Sequence, residues 1–375
     1  MQHHQFHIRS REELPATVDQ SVNLVLGFGS KALLEGDNFQ GHLSKSYPNA
    51  TVALCSSAGE IFDTTVADDS LSILAFSFDH TQVLHRSVDT QDYEDSHAAG
   101  QSLVADLPTG DLRLVFVLSD GSSVNGSELT KGIRSVIPAG IPITGGLAGD
   151  GVHFDYTLVG LNDTPRRGRI VAIGLYGEKL RVAHGSAGGW QPFGLERQVT
   201  RATGNELFEM DGKNALATYK RYLGKHADGL PGSALRFPLS IQLADGRHLV
   251  RTILGVDEEK QSMTFAGDIP EGSRVRFMMA NTDRLTDAAG TAAERSLRQS
   301  NGIQPQVALL ISCVGRKIVL GDRVDEEIEA VRDVFGPATT LAGYYSYGEI
   351  APLAEGKEAV LYNQTMTITC LEELP

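Results

Sequence analysis

The residues with chemistry to offer gather at three glycine-containing turns. In the last of them Cys313-Val314-Gly315-Arg316 precedes Gly343-Tyr344-Tyr345-Ser346-Tyr347-Gly348-Glu349, and Asn363 follows soon after. An arginine such as Arg316 can hold a carboxylate through two parallel hydrogen bonds. Glu349 can accept from an amine or hydroxyl, Asn363 can donate or accept, and Tyr344 and Tyr345 add amphipathic surface. Ser346 and Gly348 share the turn, where a glycine lets backbone approach a ligand closely. Cys313 reads either as a ligand-sensing thiol or as a small packed side chain. The two earlier turns, Cys55-Ser56-Ser57-Ala58-Gly59-Glu60 and Gly145-Gly146-Leu147-Ala148-Gly149-Asp150, each end in an acid. Taken singly, Glu60 and Glu349 could equally pair with an arginine or cap a helix. The convergence at the third turn makes it the leading candidate for a small-ligand site, with Ser56, Gly59, Glu60, Gly146 and Asp150 as further binding candidates.

Redox or metal chemistry would fall to a histidine. Most of the 11 histidines stand among polar residues and read as surface positions, His3, His4 and His7 in a solvated N-terminal tail. His184 differs: it ends the apolar run Leu180 to Ala183 and enters a glycine-rich stretch, Gly185 to Gly194, that holds the one tryptophan, Trp190. Such a stretch could admit a flat macrocycle with His184 on its metal, or could be a plain crossing loop beside a satisfied polar residue. His153 is the next metal candidate, followed by a tyrosine or Cys313. Gly27-x-Gly29-x-x-Ala32 mimics a dinucleotide fingerprint, yet Cys55-Ser56 stands where a ribose-binding acid belongs. No phosphate loop, nucleophile elbow or His-Glu-x-x-His pair occurs, which disfavours an enzyme without excluding one that acts on a small metabolite.

The elements that must position these turns repeat. An apolar strand at Val22 to Leu26 leads through a glycine turn into a helical segment ending at Pro48, and a second strand, Thr51 to Leu54, runs into the first acid turn. Leu112 to Leu118, the helix Ser127 to Val136 and a strand around Ile141 to Thr144 repeat the order. Val307 to Ile311, a helix with Asp325 as its cap and the strand before Gly343 give it a third time. Strand, helix, strand over roughly thirty residues is the unit that joins parallel strands. Apolar runs after each unit (Leu71 to Phe78, Ile170 to Tyr176, Ala359 to Thr369) add antiparallel strands. The expected fold class is therefore α/β, with repeated βαβ units forming mixed sheets in two domains under covering helices. Gln198 to Asn301 differs, with helices near Asn214 to Leu223 and Thr282 to Gln299 around strands turned by Asp245-Gly246. The expected organisation is a polar tail over 1–20, one α/β domain over 21–197 and a second over 198–375.

Composition bounds what this fold can do. The 375 residues carry a formal charge of −14, which repels nucleic acid. No apolar run is long enough for a membrane span or a secretory signal, so a cytoplasmic protein is expected. Three cysteines do not make a disulfide framework. Forty glycines stand where ordinary usage gives roughly 26, and many punctuate strand ends.

The third-unit residues, from Cys313-Val314-Gly315-Arg316 through Glu326-Glu327 and Gly343 to Pro352 to Asn363-Gln364-Thr365, resemble the C-terminal half of the FIST family. The Cys55 to Ile61 turn and Gly145-Gly146-x-Ala148-x-Asp150 resemble its N-terminal half. The resemblance implies a sensory module for small ligands in signal transduction, in much of the family amino-acid-like molecules. It also implies kinship with a stand-alone bacterial branch that binds haem, senses nitric oxide and regulates a partner histidine kinase. The first expectation is thus a haem-dependent nitric oxide sensor, the alternative a metal-free module for amino-acid-like ligands. An oligomer is compatible with either.

Overall fold

The computed structural model describes residues 1–375 apart from 15–16, 37, 244–245, 247, 299–301 and 354–357. Most of its strands fall into three similar sheets, and the remainder form a fourth. The first unit contains β1 (Gln2–Ile8), β2 (Leu24–Gly29), helices α1 (Lys31–Gly36) and α2 (Phe39–Ser46), β3 (Thr51–Ser56), the hairpin β4 (Glu60–Phe62) and β5 (Thr65–Ala67), and β6 (Leu71–Ser77). The second contains β7 (Gln82–Asp89), α3 (Ser96–Ala105), β8 (Leu112–Ser119), α4 (Gly126–Val136), β9 (Ile143–Leu147), β10 (Val159–Leu161) and β11 (Arg169–Tyr176).

The third unit opens with β12 (Leu180–Ala187) and is then interrupted by an insertion. The insertion comprises β13 (Gln191–Thr203), β14 (Glu206–Met210), β15 (Lys213–Asn214), α5 (Ala215–Leu223), β16 (Leu239–Gln242), β17 (His248–Arg251), β18 (Ile253–Asp257), β19 (Ser262–Phe265) and β20 (Arg274–Met279). The unit resumes with α6 (Thr282–Arg298), β21 (Val307–Cys313), α7 (Val314–Leu320), α8 (Asp325–Phe335), β22 (Thr340–Ser346), the hairpin β23 (Gly348–Pro352) and β24 (Ala359–Tyr362), and β25 (Met366–Glu373).

The three sheets share one order: β1-β6-β2-β3, β7-β11-β8-β9 and β12-β25-β21-β22. In each the two strands of the βαβ unit are parallel and the strands beside them antiparallel. The segment after each return strand then leaves its own sheet for a neighbour's. β4 pairs with β22, β10 with β3, and β23 with β9, so the exchange closes a ring of three. Both faces of the central strands are covered, as their unbroken apolar runs require. One core joins Leu26, Phe116 and Leu309 from all three units, while the insertion has a core of its own around Leu216, Tyr219, Met263 and Phe277. In the return strands Gly145 and Gly343 lie hard against the carbonyls of Val117 and Leu310, where no side chain would fit.

The mixed α/β class is as expected; several details differ. Residues 2–8 are not a tail but the edge strand β1, paired with β6, and the His3 ring bonds the Thr340 hydroxyl at 2.8 Å. Their polar alternation belongs to an edge strand half-open to solvent. The expected boundary at 197/198 falls within β13. The first helical segment is two helices, the second capped by Asn38, which accepts from the Gly41 amide at 2.9 Å. Asp325 does not cap α8; its carboxylate accepts from the Val66 amide at 2.6 Å and so ties β5 to that helix. The Asp245 turn and residues 299 and 301 lie outside the described residues. Among the described residues no helix is long and apolar enough to cross a membrane.

Candidate functional site

Because the strand ends of the first two units meet where the exchange begins, their turns enclose a cleft of about 430 Å³. Ser57, Gly59 and Glu60 form its floor, Ser30 and Lys31 come from the start of α1, and Asp150, His153 and Asp155 line it from the second unit. Open α/β sheets bind ligands at such carboxyl ends of strands.

Glu60 is almost wholly buried. The Ser57 hydroxyl donates to its Oε1, and the Ser70 amide and hydroxyl donate to Oε2 at 3.2 and 2.7 Å. Burial raises its pKa to about 7 despite those hydrogen bonds. Lys31 Nζ donates to Asp150 Oδ2 at 2.7 Å and lies 3.7 Å from Asp155. Burial acts to lower the Lys31 pKa, and the hydrogen bond and charge of Asp150 outweigh it, so it stays raised. The ammonium also sits 3.8 Å above the Tyr156 ring. From the third unit Lys317 reaches the Ala58 carbonyl at 2.9 Å and pairs with Asp68, whose neighbour Asp69 also lines the cleft. The cleft therefore offers acids in excess of cations, around one carboxyl poised near neutrality.

Gly59, Glu60, Asp150 and His153 are thus brought together. Ser56 is not on the cleft surface: it is fully buried, its hydroxyl accepting from the Leu158 amide at 2.9 Å. Gly146 is covered by its pairing with Glu349 across β23.

The third-unit candidates form a buried network instead. Arg316 is 0% exposed. Its Nε and Nη2 donate to Glu327 Oε2 at 3.0 and 2.5 Å, Nη1 to the Gly188 carbonyl at 2.7 Å and Nη2 also to the Leu285 carbonyl at 2.8 Å. Tyr345 and Ser312 complete Glu327 from its other oxygen, at 2.5 and 3.0 Å. Arg316 accordingly has no fork left for a ligand's carboxylate, contrary to expectation, because α8 delivers Glu327 to it.

Tyr344 is buried and stacks on Phe28 at 4.8 Å. Glu349, also fully buried, accepts from the Ser346 hydroxyl at 2.8 Å and from the amide and hydroxyl of Thr365 at 3.1 and 2.8 Å; burial raises its pKa to about 7. Gly348 packs against Leu361 and Leu147, and the Asn363 amide has no hydrogen-bond partner among the described residues. Burial pushes the Cys313 thiol well above its ordinary pKa, which favours the packed reading over a reactive thiolate. Trp190 donates its indole N–H to the Gln364 carbonyl at 2.8 Å.

Haem does not fit either histidine. His184 lies within β12, opposite Thr369, and burial lowers its pKa to about 4. The neighbouring Gly185 and Gly189 press on backbone carbonyls of α6, so the glycine stretch is packed against that helix rather than open to a flat macrocycle. His153 is on the cleft, but that cleft is walled by acids, serines and glycines rather than by the apolar surface a porphyrin face requires. Among the described residues no three His, Cys, Asp or Glu side chains cluster as a metal site.

Sequence reasoning missed Lys31, Ser57, Asp68, Asp69, Asp155 and Lys317. One signal was present: a basic residue shortly follows the first strand of two units, Lys31 in one and Arg316 in the other. The acids on the loops after β5 and β9 carry no comparable mark.

The fold is a three-unit α/β body with a polar cleft at its converging strand ends. This chain belongs to the FIST family: the FIST N domain model matches residues 23–213 and the FIST C domain model residues 215–352. FIST domains sense small ligands in signal transduction and are typically sensory rather than catalytic. Uncharacterized protein MJ1623 of Methanocaldococcus jannaschii is 23% identical over 214 residues, 52% of this chain, and the match spans 40% of that relative's length. The solved structure of cyanuric acid hydrolase from A. caulinodans is similar at 9% identity and a TM-score of 0.38, covering 100% of this chain and 99% of that one.

Proposed function

We propose that this protein senses an amine-bearing, amino-acid-like ligand, without metal, in the cleft between its first two units, and reports occupancy to a signalling partner such as a histidine kinase. The observation that carries the reading is the 430 Å³ cleft with Glu60 as floor and the Lys31–Asp150 pair as wall. Asp69 and Asp155 favour a ligand's ammonium, and Lys31 is placed for its carboxylate. Calorimetry or thermal stabilisation with a panel of amino acids and diamines tests it. At least one should stabilise the protein, and Asp69→Asn or Asp155→Asn should weaken it by about tenfold, the loss of one charge-assisted hydrogen bond. A panel without effect on wild type removes the reading.

Haem-dependent nitric oxide sensing is the rival expectation. A Soret band in protein expressed with haem, shifting when nitric oxide is added, would replace the metal-free reading. His184→Ala and His153→Ala would then locate the axial ligand.

A further inference from the structure

A second cleft, of about 230 Å³, opens where α4 of the second unit faces the insertion and β24. At its base lies Arg251, 5% exposed. Its Nη1 donates to the carbonyls of Leu361 and Val250 at 3.0 and 3.4 Å, and its Nε to that of Asp268 at 3.4 Å. A side chain at Gly267 would press on the guanidinium and on the Ser127 hydroxyl. These partners are all carbonyl oxygens. Among the described residues Arg251 forms no ion pair, and its Nη2 has no hydrogen-bond partner. The Asp268 carboxylate is engaged elsewhere, accepting from Asn125 Nδ2 and Lys131 Nζ, each at 2.9 Å. Burial lowers the Arg251 pKa to about 10, which still leaves the side chain charged at neutral pH. A buried cation held only by carbonyls lacks the counter-charge that such groups normally carry.

We propose that this second cleft binds a small monocarboxylate with a compact apolar body, its carboxylate paired with Arg251. Ile241, Leu249 and Leu361 give the cleft an apolar wall. Lys131 and Arg134 stand at its rim, Arg134 paired with Glu358. Lys131 is matched by Glu128 and Asp268 and Arg134 by Glu358, so Arg251 is the one of these three cations with no carboxylate partner among the described residues, which suits a single carboxylate better than a phosphate dianion. The volume is below the roughly 300–1,000 Å³ of drug-sized pockets, so the ligand is small. An occupant would touch both α4 and the insertion, and so would hold the insertion to the three-sheet body.

The full chain is titrated calorimetrically with phenylacetate, 3-methylbutanoate and inorganic phosphate. At least one of the two carboxylates should bind and raise the melting temperature, with phosphate much weaker. Arg251→Gln should weaken binding by at least about tenfold, as expected for the loss of a charge-assisted pair. Should Arg251→Gln fail to fold, Lys131→Glu, an exposed rim reversal, should weaken the same carboxylate through the altered field. Asp150→Asn, in the first cleft, should leave this binding unchanged, which separates the two sites. Failure of both carboxylates to bind, phosphate binding as tightly as they do, or unaltered affinity in the folded variants would overturn the proposal.

Discussion

Glu60 and Glu349 occupy corresponding turns and are held in the same way. Each accepts from a serine three residues before it and from the amide and hydroxyl of the residue just ahead of the next antiparallel strand, Ser70 in one case and Thr365 in the other. Burial raises both carboxyls to about 7. Only Glu60 reaches the first cleft, so Glu349 isolates the effect of burial on stability. The folded protein keeps the Glu349 proton at pH values where the unfolded chain, with its ordinary value near 4.5, has lost it. Its contribution is therefore complete below that ordinary value and is lost as pH rises toward about 7. Glu349→Gln keeps the shape and cannot ionise. Denaturant titrations from pH 4 to 8 should show wild type losing stability relative to Glu349→Gln as pH rises through this window; parallel profiles would mean that Glu349 titrates as an ordinary carboxyl. Glu60, Asp150 and Glu349 were legible as turn-ending acids. Their different fates were not, because burial depends on which neighbour covers each turn.

At the scale of elements, strands and most helices follow from apolar periodicity, yet the segments that build the site follow from long-range pairing. β4 and β23 are short and find their partners in other units, which no local pattern announces. Helix α7 carries Arg316, α8 carries Glu327, and only their packing reveals the pair. Through Arg316 this pair also grips the carbonyl of Gly188 after β12 and that of Leu285 in α6. A buried ion pair broken on one side leaves an uncompensated charge and costs about 3–5 kcal/mol. Arg316→Met should thus lower unfolding free energy by about that amount, measured by denaturant titration. Arg316→Lys should recover little, since one ammonium cannot reproduce the planar fork that meets Glu327 and two carbonyls together. A loss under about 1 kcal/mol would show instead that the network is readily replaced.

At the scale of the molecule, the cyclic exchange gives the three units a shared fate. Removing any one exposes a sheet edge on its neighbour and opens the core that holds Leu26, Phe116 and Leu309 together. The insertion stands differently. Its core residues, from Val199 to Phe277, belong to no other cluster, and its entry and exit lie side by side where Gln191 pairs with Met279. It touches the body through polar contacts such as Gln364 to the Leu235 carbonyl, Arg251 to the Leu361 carbonyl and Lys131 to Asp268. Such contacts can open without exposing the shared core, so the insertion should unfold by itself at lower free energy. Native-state hydrogen exchange should place the amides of β2, β8 and β21 in one class that opens together, and those of β16, β19 and β20 in a second, less protected class. A single class with one dependence on denaturant would mean that these polar contacts couple the insertion to the body as tightly as the exchanged strands couple the three units to one another.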